Sequence, residues 1–477
     1  MANMYILTSF LCFKAWAGQK AMIFIKEFFC YTRIPETNLQ RGYKMKKSIF
    51  LIFVAAILTF GCCSKKETAE TEGQDVSSIF QSRFQAPAAA GDDASATAAT
   101  QTQEESPADD FVKEYKLSEL AQKYGFKVGA CISYGQVNRS SYVKMLTGDF
   151  NTTTATNEFK AYSLLNQAKS IQAGLPVMNY AQADAIAKLA QENGIGIRGH
   201  VLVWDAYMSE WFFREGFKSD GLPVSKEVME ERVAYYIDQV ITHFETEFPG
   251  VVYCWDVVNE AVADNANEWI EGNDFHIRQT RGGSINMFNA IMGPDYVKYA
   301  FQCARKTVNK VNPDIKLFYN DYNTFYQEKR DAIIRMIKYI NKEEKLCDGL
   351  GMQGYIGGYG QQAGCMNPND LSLVKTAIKM YSDLGLEVQL TEVAVRNYEK
   401  DQMEKHAKFY GNLFRAVISA INEGANFTGF TIWGISDNPS MPKTDYSYKM
   451  NGPYCGLFGQ YYDIKDSYKE VYKALAE

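Results

Sequence analysis

Along residues 111–477, short apolar runs alternate with longer stretches in which apolar side chains recur every three or four positions. The short runs read as strands: KVGACI (127–132), DFNTTT (149–154), GIRGHVLVW (196–204), VVYCWDVV (251–258), IKLFYND (315–321), GLGMQGYI (349–356), EVQLTEV (387–393) and FTGFTIWGI (427–435). Amphipathic helices lie between them. ADAIAKLAQENG (183–194) sets Ala183, Ile186, Ala187 and Ala190 on one face and stops at Gly194, a residue suited to the left-handed position that ends a helix. DYVKYAFQCARKTVN (295–309) has the same character. Eight strands alternating with helices predict parallel β/α units. About 360 residues in one α/β domain fit a (β/α)8 TIM barrel with long loops. An open doubly wound sheet fits less well, because no Gly-rich phosphate loop follows any strand.

Before residue 111 the pattern changes. MKKSIFLIFVAAILTFGCC (45–63) places two lysines ahead of an apolar run and then Gly-Cys. That is the layout of an export signal, its positive end kept in the cytoplasm and its short apolar helix fed into the membrane. Cys62 is the expected lipid-attachment residue, although Thr59 stands where a lipobox usually has Leu and Leu58 comes one place early. Residues 63–110 are rich in Ala, Thr, Ser, Gln and acid, with few large apolar side chains, and are expected to form a disordered tether. Residues 1–44 are apolar patches broken by Lys14, Lys20 and Lys26. They precede the better start at Met45 and are read as an upstream extension that is not translated in nature. The expected product is an exported lipoprotein, at the cell surface or facing the periplasm, that touches the membrane only through its anchor.

Bulk properties narrow the chemistry. A net charge of −6 offers no basic field to hold nucleic acid. The 31 Tyr, 29 Phe and 6 Trp suit a packed core, or a groove that stacks the flat faces of sugar rings. With four His and no CxxC pair or His/Cys cluster, no metal site is expected. Six cysteines follow the tether, at 131, 254, 303, 347, 365 and 455. Six allow fifteen pairings, among which the sequence does not choose.

In a barrel the chemistry sits at the C-terminal ends of the strands. Asn157 and Glu158 follow the second predicted strand, and His200 and Trp204 lie in the third. Asn259 and Glu260 follow the fourth, Asn320 and Asp321 end the fifth, and Gln353, Glu392 and Trp433 lie in the sixth, seventh and eighth. Glu260 and Glu392 would face each other across the mouth. Two carboxylates in one cleft do not titrate alike: burial and the neighbouring charge raise one, and hydrogen bonds keep the other ionised. Glycoside hydrolysis needs that division, one acid protonating the leaving oxygen and one carboxylate attacking the anomeric carbon. Either glutamate alone would read as a rim ion pair.

The segments GIRGHVLVW, WDVVNEA, LFYNDYN, GLGMQ, LEVQLTEV and FTIWGISD, taken in order over about residues 115–470, resemble the successive signatures of glycoside hydrolase family 10. The main activity of that family is endo-1,4-β-xylanase. The resemblance implies that Glu260 is the acid/base and Glu392 the nucleophile of a retaining double displacement, with carboxyl groups ~5–5.5 Å apart. It implies that Asn259 bonds the sugar 2-hydroxyl. Lys160, His200, Trp204, Gln353 and Trp433 would bind the reacting sugar, with Tyr355 near the nucleophile, and Asn157 would bind the next sugar out. Xylan or a xylo-oligosaccharide is the expected partner of a monomeric protein, and no cofactor enters this chemistry.

Several positions depart from the family pattern. Thr156 and Ala161 replace a Glu and a Trp, and Asp205-Ala206-Tyr207 replaces His-Ser-Gln. Tyr355 replaces a His, Ala394 an Asp, and Met441 a Trp. Thr156, Asp205, Tyr207, Ala394 and Met441 are therefore the candidates for setting specificity. Two other readings follow from them: a non-catalytic or weakly active carbohydrate-binding surface lipoprotein, and a related glycosidase with a shifted substrate.

Overall fold

The computed structural model describes residues 111–266, 271–356 and 365–477. Cys62, the export signal, the tether and the upstream extension lie outside these residues. In chain order the strands are β1 (Lys127–Ile132), β2 (Thr152–Ala155), β3 (Gly196–Gly199), β4 (Val252–Asn259), β5 (Thr280–Arg281), β6 (Ser284–Ile285), β7 (Lys316–Asp321), β8 (Gly349–Met352), β9 (Tyr355–Ile356), β10 (Glu387–Val395) and β11 (Phe427–Ile432). Eight of them run parallel in the order β1-β2-β3-β4-β7-β8-β10-β11, and β11 pairs back onto β1 with Lys127 opposite Gly429 and Ala130 opposite Ile432. That closure makes the fold a (β/α)8 barrel and excludes the open sheet.

The helices follow the apolar periodicity. Ala181–Glu192 buries Ala183, Ile186, Ala187 and Ala190, and Gly194 just beyond it sits at φ +64°. Tyr296–Val311 buries Tyr296, Val297, Ala300, Phe301, Ala304, Thr307 and Val308 against the barrel.

Three strand predictions change in physically informative ways. DFNTTT starts its strand only at Thr152, because Asp149 ends the helix Ser140–Asp149. Its carboxylate takes hydrogen bonds from Tyr468 Oη (2.6 Å) and the Leu117 amide (3.4 Å). GIRGHVLVW leaves the sheet after Gly199, and its pairing resumes where the amides of Leu202 and Val203 donate to the carbonyls of Asp256 and Val257 (3.0 and 2.9 Å). GLGMQGYI splits into β8 and β9. Gln353 and Gly354 form the break, and Tyr355 then pairs with Ala394 on β10.

Polar side chains occupy part of the barrel interior. Arg198 on β3 is fully buried, ion-paired with Asp256, bonded to Gln389 Oε1 (2.8 Å), and stacked over the Phe318 ring at 4.5 Å. Gly351 on β8 makes the space. A Cβ there would lie 2.2 Å from Asn320 Oδ1 and 2.6 Å from Arg198 Nη2. Breaking a buried ion pair leaves a bare charge in a medium that solvates it poorly. Asp256→Ala is thus expected to lower the unfolding free energy by about 3–5 kcal/mol in urea denaturation. A loss under about 1 kcal/mol would mean that Arg198 is neutralised by another group.

The sequence left cysteine pairing open. Cys131, Cys254, Cys303, Cys347 and Cys455 are free thiols. Burial pushes the thiols of Cys131, Cys254, Cys347 and Cys455 up to about 12.

Candidate active site

Glu260 stands one residue past β4 with φ +53°, a backbone region that non-glycine residues rarely adopt. Its amide donates to the Asn320 carbonyl at 2.9 Å. Such a backbone at the end of a buried strand has to be held by its surroundings and is found most often at functional sites. Glu392 is the sixth residue of β10 and points into the same space. Both glutamates are buried.

Two amides join the carboxylates. Gln353 Nε2 donates to Glu260 Oε1 (3.0 Å) and to Asn259 Oδ1 (3.3 Å). Asn320 Nδ2 donates to Asn259 Oδ1 (2.9 Å) and to Glu392 Oε1 (3.2 Å). Thr391 Oγ1 donates to Asn320 Oδ1 (2.7 Å) and fixes which way that amide faces. Tyr355 Oη donates to the other oxygen of Glu392 at 2.6 Å. The break between β8 and β9 is what turns Gln353 and Tyr355 toward the two carboxylates.

The surroundings of Glu392 pull its titration in both directions. Burial pushes its carboxyl above the usual glutamate range. His200 opposes this most, the Tyr355 hydrogen bond next, while the Glu260 charge adds to the rise and Lys160 lowers it. His200 is oriented from beneath, its Nδ1 2.9 Å from Asp256 Oδ2. The buried Asp256 that neutralises Arg198 therefore also sets the imidazole.

Lys160, Asn157, Trp204 and Tyr207 form one wall. Lys160 Nζ donates to Asn157 Oδ1 (3.1 Å) and lies over the rings of Trp204 (5.1 Å) and Tyr207 (4.2 Å). Burial lowers the lysine to about 8, while Glu392, Glu260 and Glu158 oppose the shift. Trp204 and Tyr207 lie 4.4 Å apart between ring centroids. Among the described residues, neither Asn259 Nδ2 nor the Trp204 indole nitrogen has a hydrogen-bond acceptor, although both are buried. Trp433, partly buried after β11, accepts on its carbonyl from Cys131 Sγ at 3.7 Å.

Of the departures, Asp205 and Tyr207 belong to this site, and Thr156 is buried at the end of β2. Met441 lies in the loop after β11 and is partly exposed. Ala394 is different. It is wholly buried on β10 beside Gly434, so it reaches a ligand only through the residues packed on it.

One residue escaped the strand-end pattern. Arg281 comes from the β5–β6 hairpin, which turns at Gly282-Gly283 with φ +54° and +87°. It donates to Glu260 Oε2 from Nη1 (2.7 Å), to the Glu260 carbonyl from Nη2 (3.0 Å), and to both oxygens of Asp205 (3.0 and 2.9 Å). No predicted strand ends there, and a lone Arg among polar residues carries no periodic signal. Asn320 was visible as a strand-end residue, but its bridging position depends on side-chain direction.

The model of glycosyl hydrolase family 10 matches residues 116–474. The chain is 34% identical to endo-1,4-beta-xylanase A of Thermotoga maritima over 69% of its own length and 28% of that protein's. It is 30% identical to endo-1,4-beta-xylanase B of Butyrivibrio fibrisolvens over 73% of its own length and 52% of that protein's. The chain thus spans between about a quarter and about half of these relatives. Among solved structures, the CBM22-1–GH10 modules of the Clostridium thermocellum endo-1,4-beta-D-xylanase 10B, complexed with xylohexaose, align with a TM-score of 0.65 and 29% identity, over 75% of this chain and 67% of that one. The endo-1,4-beta-xylanase of Caldicellulosiruptor owensensis aligns with a TM-score of 0.59 and 28% identity, over 75% of this chain and 98% of that one. With a closed barrel, paired carboxylates at its mouth and a family match covering most of its length, this chain belongs to glycosyl hydrolase family 10.

Proposed function

We propose that this protein is a retaining endo-1,4-β-xylanase, with Glu392 as nucleophile and Glu260 as acid/base. The observation that carries the reading is the run of hydrogen bonds from Glu260 through Gln353, Asn259 and Asn320 to Glu392, which holds two buried carboxylates at one mouth. In the first step a Glu392 oxygen bonds to the anomeric carbon as the glycosidic bond breaks, and Glu260 gives its proton to the departing oxygen. In the second, Glu260 takes a proton from water, whose oxygen bonds to the anomeric carbon and releases Glu392.

The binding roles have support from orphaned atoms. Asn259 Nδ2 is a buried donor lacking an acceptor among the described residues, which suits a sugar hydroxyl, as does the Trp204 indole. Trp204 and Trp433 would wall a ring that carries no exocyclic CH₂OH, with Lys160, His200 and Gln353 bonding its hydroxyls and Asn157 the next sugar. Ala161 and Met441, lacking rings, would leave the cleft wide enough for a decorated xylan. The chain would act as a monomer, exported and held at the cell surface or the periplasmic face by a lipid on Cys62.

Incubating the full chain with xylan, carboxymethyl cellulose and an aryl β-xyloside, then sizing the products, tests the reading. Xylo-oligosaccharides of mixed length from xylan alone are expected. Folded protein that releases nothing would favour a binding function, and cleavage of cellulose alone a shifted substrate.

Tyr355 makes a sharper test. Its hydrogen bond favours the ionised form of Glu392, so removing it raises the carboxyl further. A hydrogen bond to a charged group contributes about 1.5–3 kcal/mol, which corresponds to roughly one pH unit or more. In Tyr355→Phe the acid limb of kcat/KM is expected to move upward by about that amount. An unchanged limb would show that the contact does not act on the nucleophile.

A further inference from the structure

We propose that Arg281, clamped by Asp205, is a positioning residue that sets the pH range over which Glu260 serves as proton donor. The inference rests on the acid/base assignment of Glu260. Three observations carry it. Arg281 reaches Glu260 Oε2 at 2.7 Å, so one lobe of the carboxylate is already engaged by a cation. Asp205 fixes the guanidinium through both of its oxygens, and Arg281 also bonds the Glu260 carbonyl. Burial works against the charge on Arg281, and Glu260 and Asp205 more than offset it, so it stays cationic throughout.

The other groups around Glu260 come from every neighbouring element. Gln353, between β8 and β9, holds the second oxygen and is neutral. Glu392 from β10, Lys160 after β2, and Asp321 and the Tyr322 phenol at the end of β7 all lie close enough to interact with it electrostatically. Arg278 donates to its carbonyl at 3.3 Å and is shared with Asp264. Lys329 answers Asp321 at 2.8 Å. Arg281 lies within hydrogen-bond reach of the Glu260 carboxylate itself.

A cation beside a carboxylate favours the ionised form, and a general acid must begin protonated. Arg281 therefore draws the alkaline limit of proton donation downward. Asp205 moderates that effect by cancelling part of the Arg281 charge. The two residues act on Glu260 with opposite sign, and this separates an electrostatic role from simple scaffolding.

The test is kcat/KM against pH for wild type, Arg281→Gln, Arg281→Lys and Asp205→Asn, on xylohexaose and on 2,4-dinitrophenyl β-xylobioside. The second substrate has a leaving group that departs without a proton. On xylohexaose the basic limb is expected about one unit higher in Arg281→Gln, restored toward wild type in Arg281→Lys, and lower in Asp205→Asn. The acid limb, which follows Glu392, stays in place, and on the dinitrophenyl substrate the basic limb does not move. Equal movement on both substrates would assign the limb to another group, Lys160 foremost, and overturn the proposal. So would shifts of the same sign in Arg281→Gln and Asp205→Asn, or no shift in an active enzyme. A wild-type chain inactive on both substrates would instead overturn the xylanase reading.

Discussion

Glu392→Gln is expected to lower kcat/KM on xylo-oligosaccharides by roughly 10⁵-fold, since it removes the atom that forms the covalent intermediate. What remains is positioning and electrostatics without the double displacement. In Glu392→Ala the emptied side-chain volume admits azide, which attacks from the face the carboxylate used. The expected product is the α-xylosyl azide, identified by NMR, whereas a β product would place the nucleophile elsewhere.

The same substitution bears on stability, and the sign is fixed by burial. The folded-state carboxyl of Glu392 is raised, so its contribution to stability is present below the ordinary glutamate range and lost as pH rises through the raised value. A neutral amide removes that loss. Glu392→Gln is expected to melt at or above the wild-type temperature at pH 7, with the difference closing toward about pH 4. A variant clearly less stable at neutral pH would show that the hydrogen bonds from Asn320 and Tyr355 outweigh the desolvation of the charge.

The second large effect is selective. Glu260→Ala is expected to lower kcat/KM on xylohexaose by roughly 10³-fold, within the span usual for general acid catalysis. On 2,4-dinitrophenyl β-xylobioside, whose leaving group needs no proton, the loss in the first step should stay under about tenfold. Added azide then replaces water in the second step and should give the β-xylosyl azide. Equal losses on both substrates would mean that Glu260 serves binding or folding rather than proton transfer.

The barrel was legible because its strands are short apolar runs between helical repeats, a signal that closure does not disturb. Glu260 and Glu392 could be found because each ends or interrupts an apolar strand, where a charge has no packing reason to be. The limits were also physical. β3 and the β8–β9 break looked continuous, since apolar composition does not reveal where a ladder is broken to aim Gln353 and Tyr355. Arg198 was hidden because one Arg in a strand reads as a surface residue, and only Gly351, Asp256 and Gln389 together make room for it inside. Arg281 was hidden because its partners are 21 and 76 residues away in sequence.

The hairpin that carries Arg281 is tied off at its base. Asn286 Nδ2 bonds the Arg278 carbonyl at 3.0 Å, and the Asn286 amide bonds the carbonyl of Gln279 at 2.9 Å. The span between those ties can therefore be rewritten without unpicking a barrel strand, and changing its length by a few residues alters loop-closure entropy only slightly. Substitutions within this hairpin are therefore expected to change the working acidity while the barrel strands keep their register.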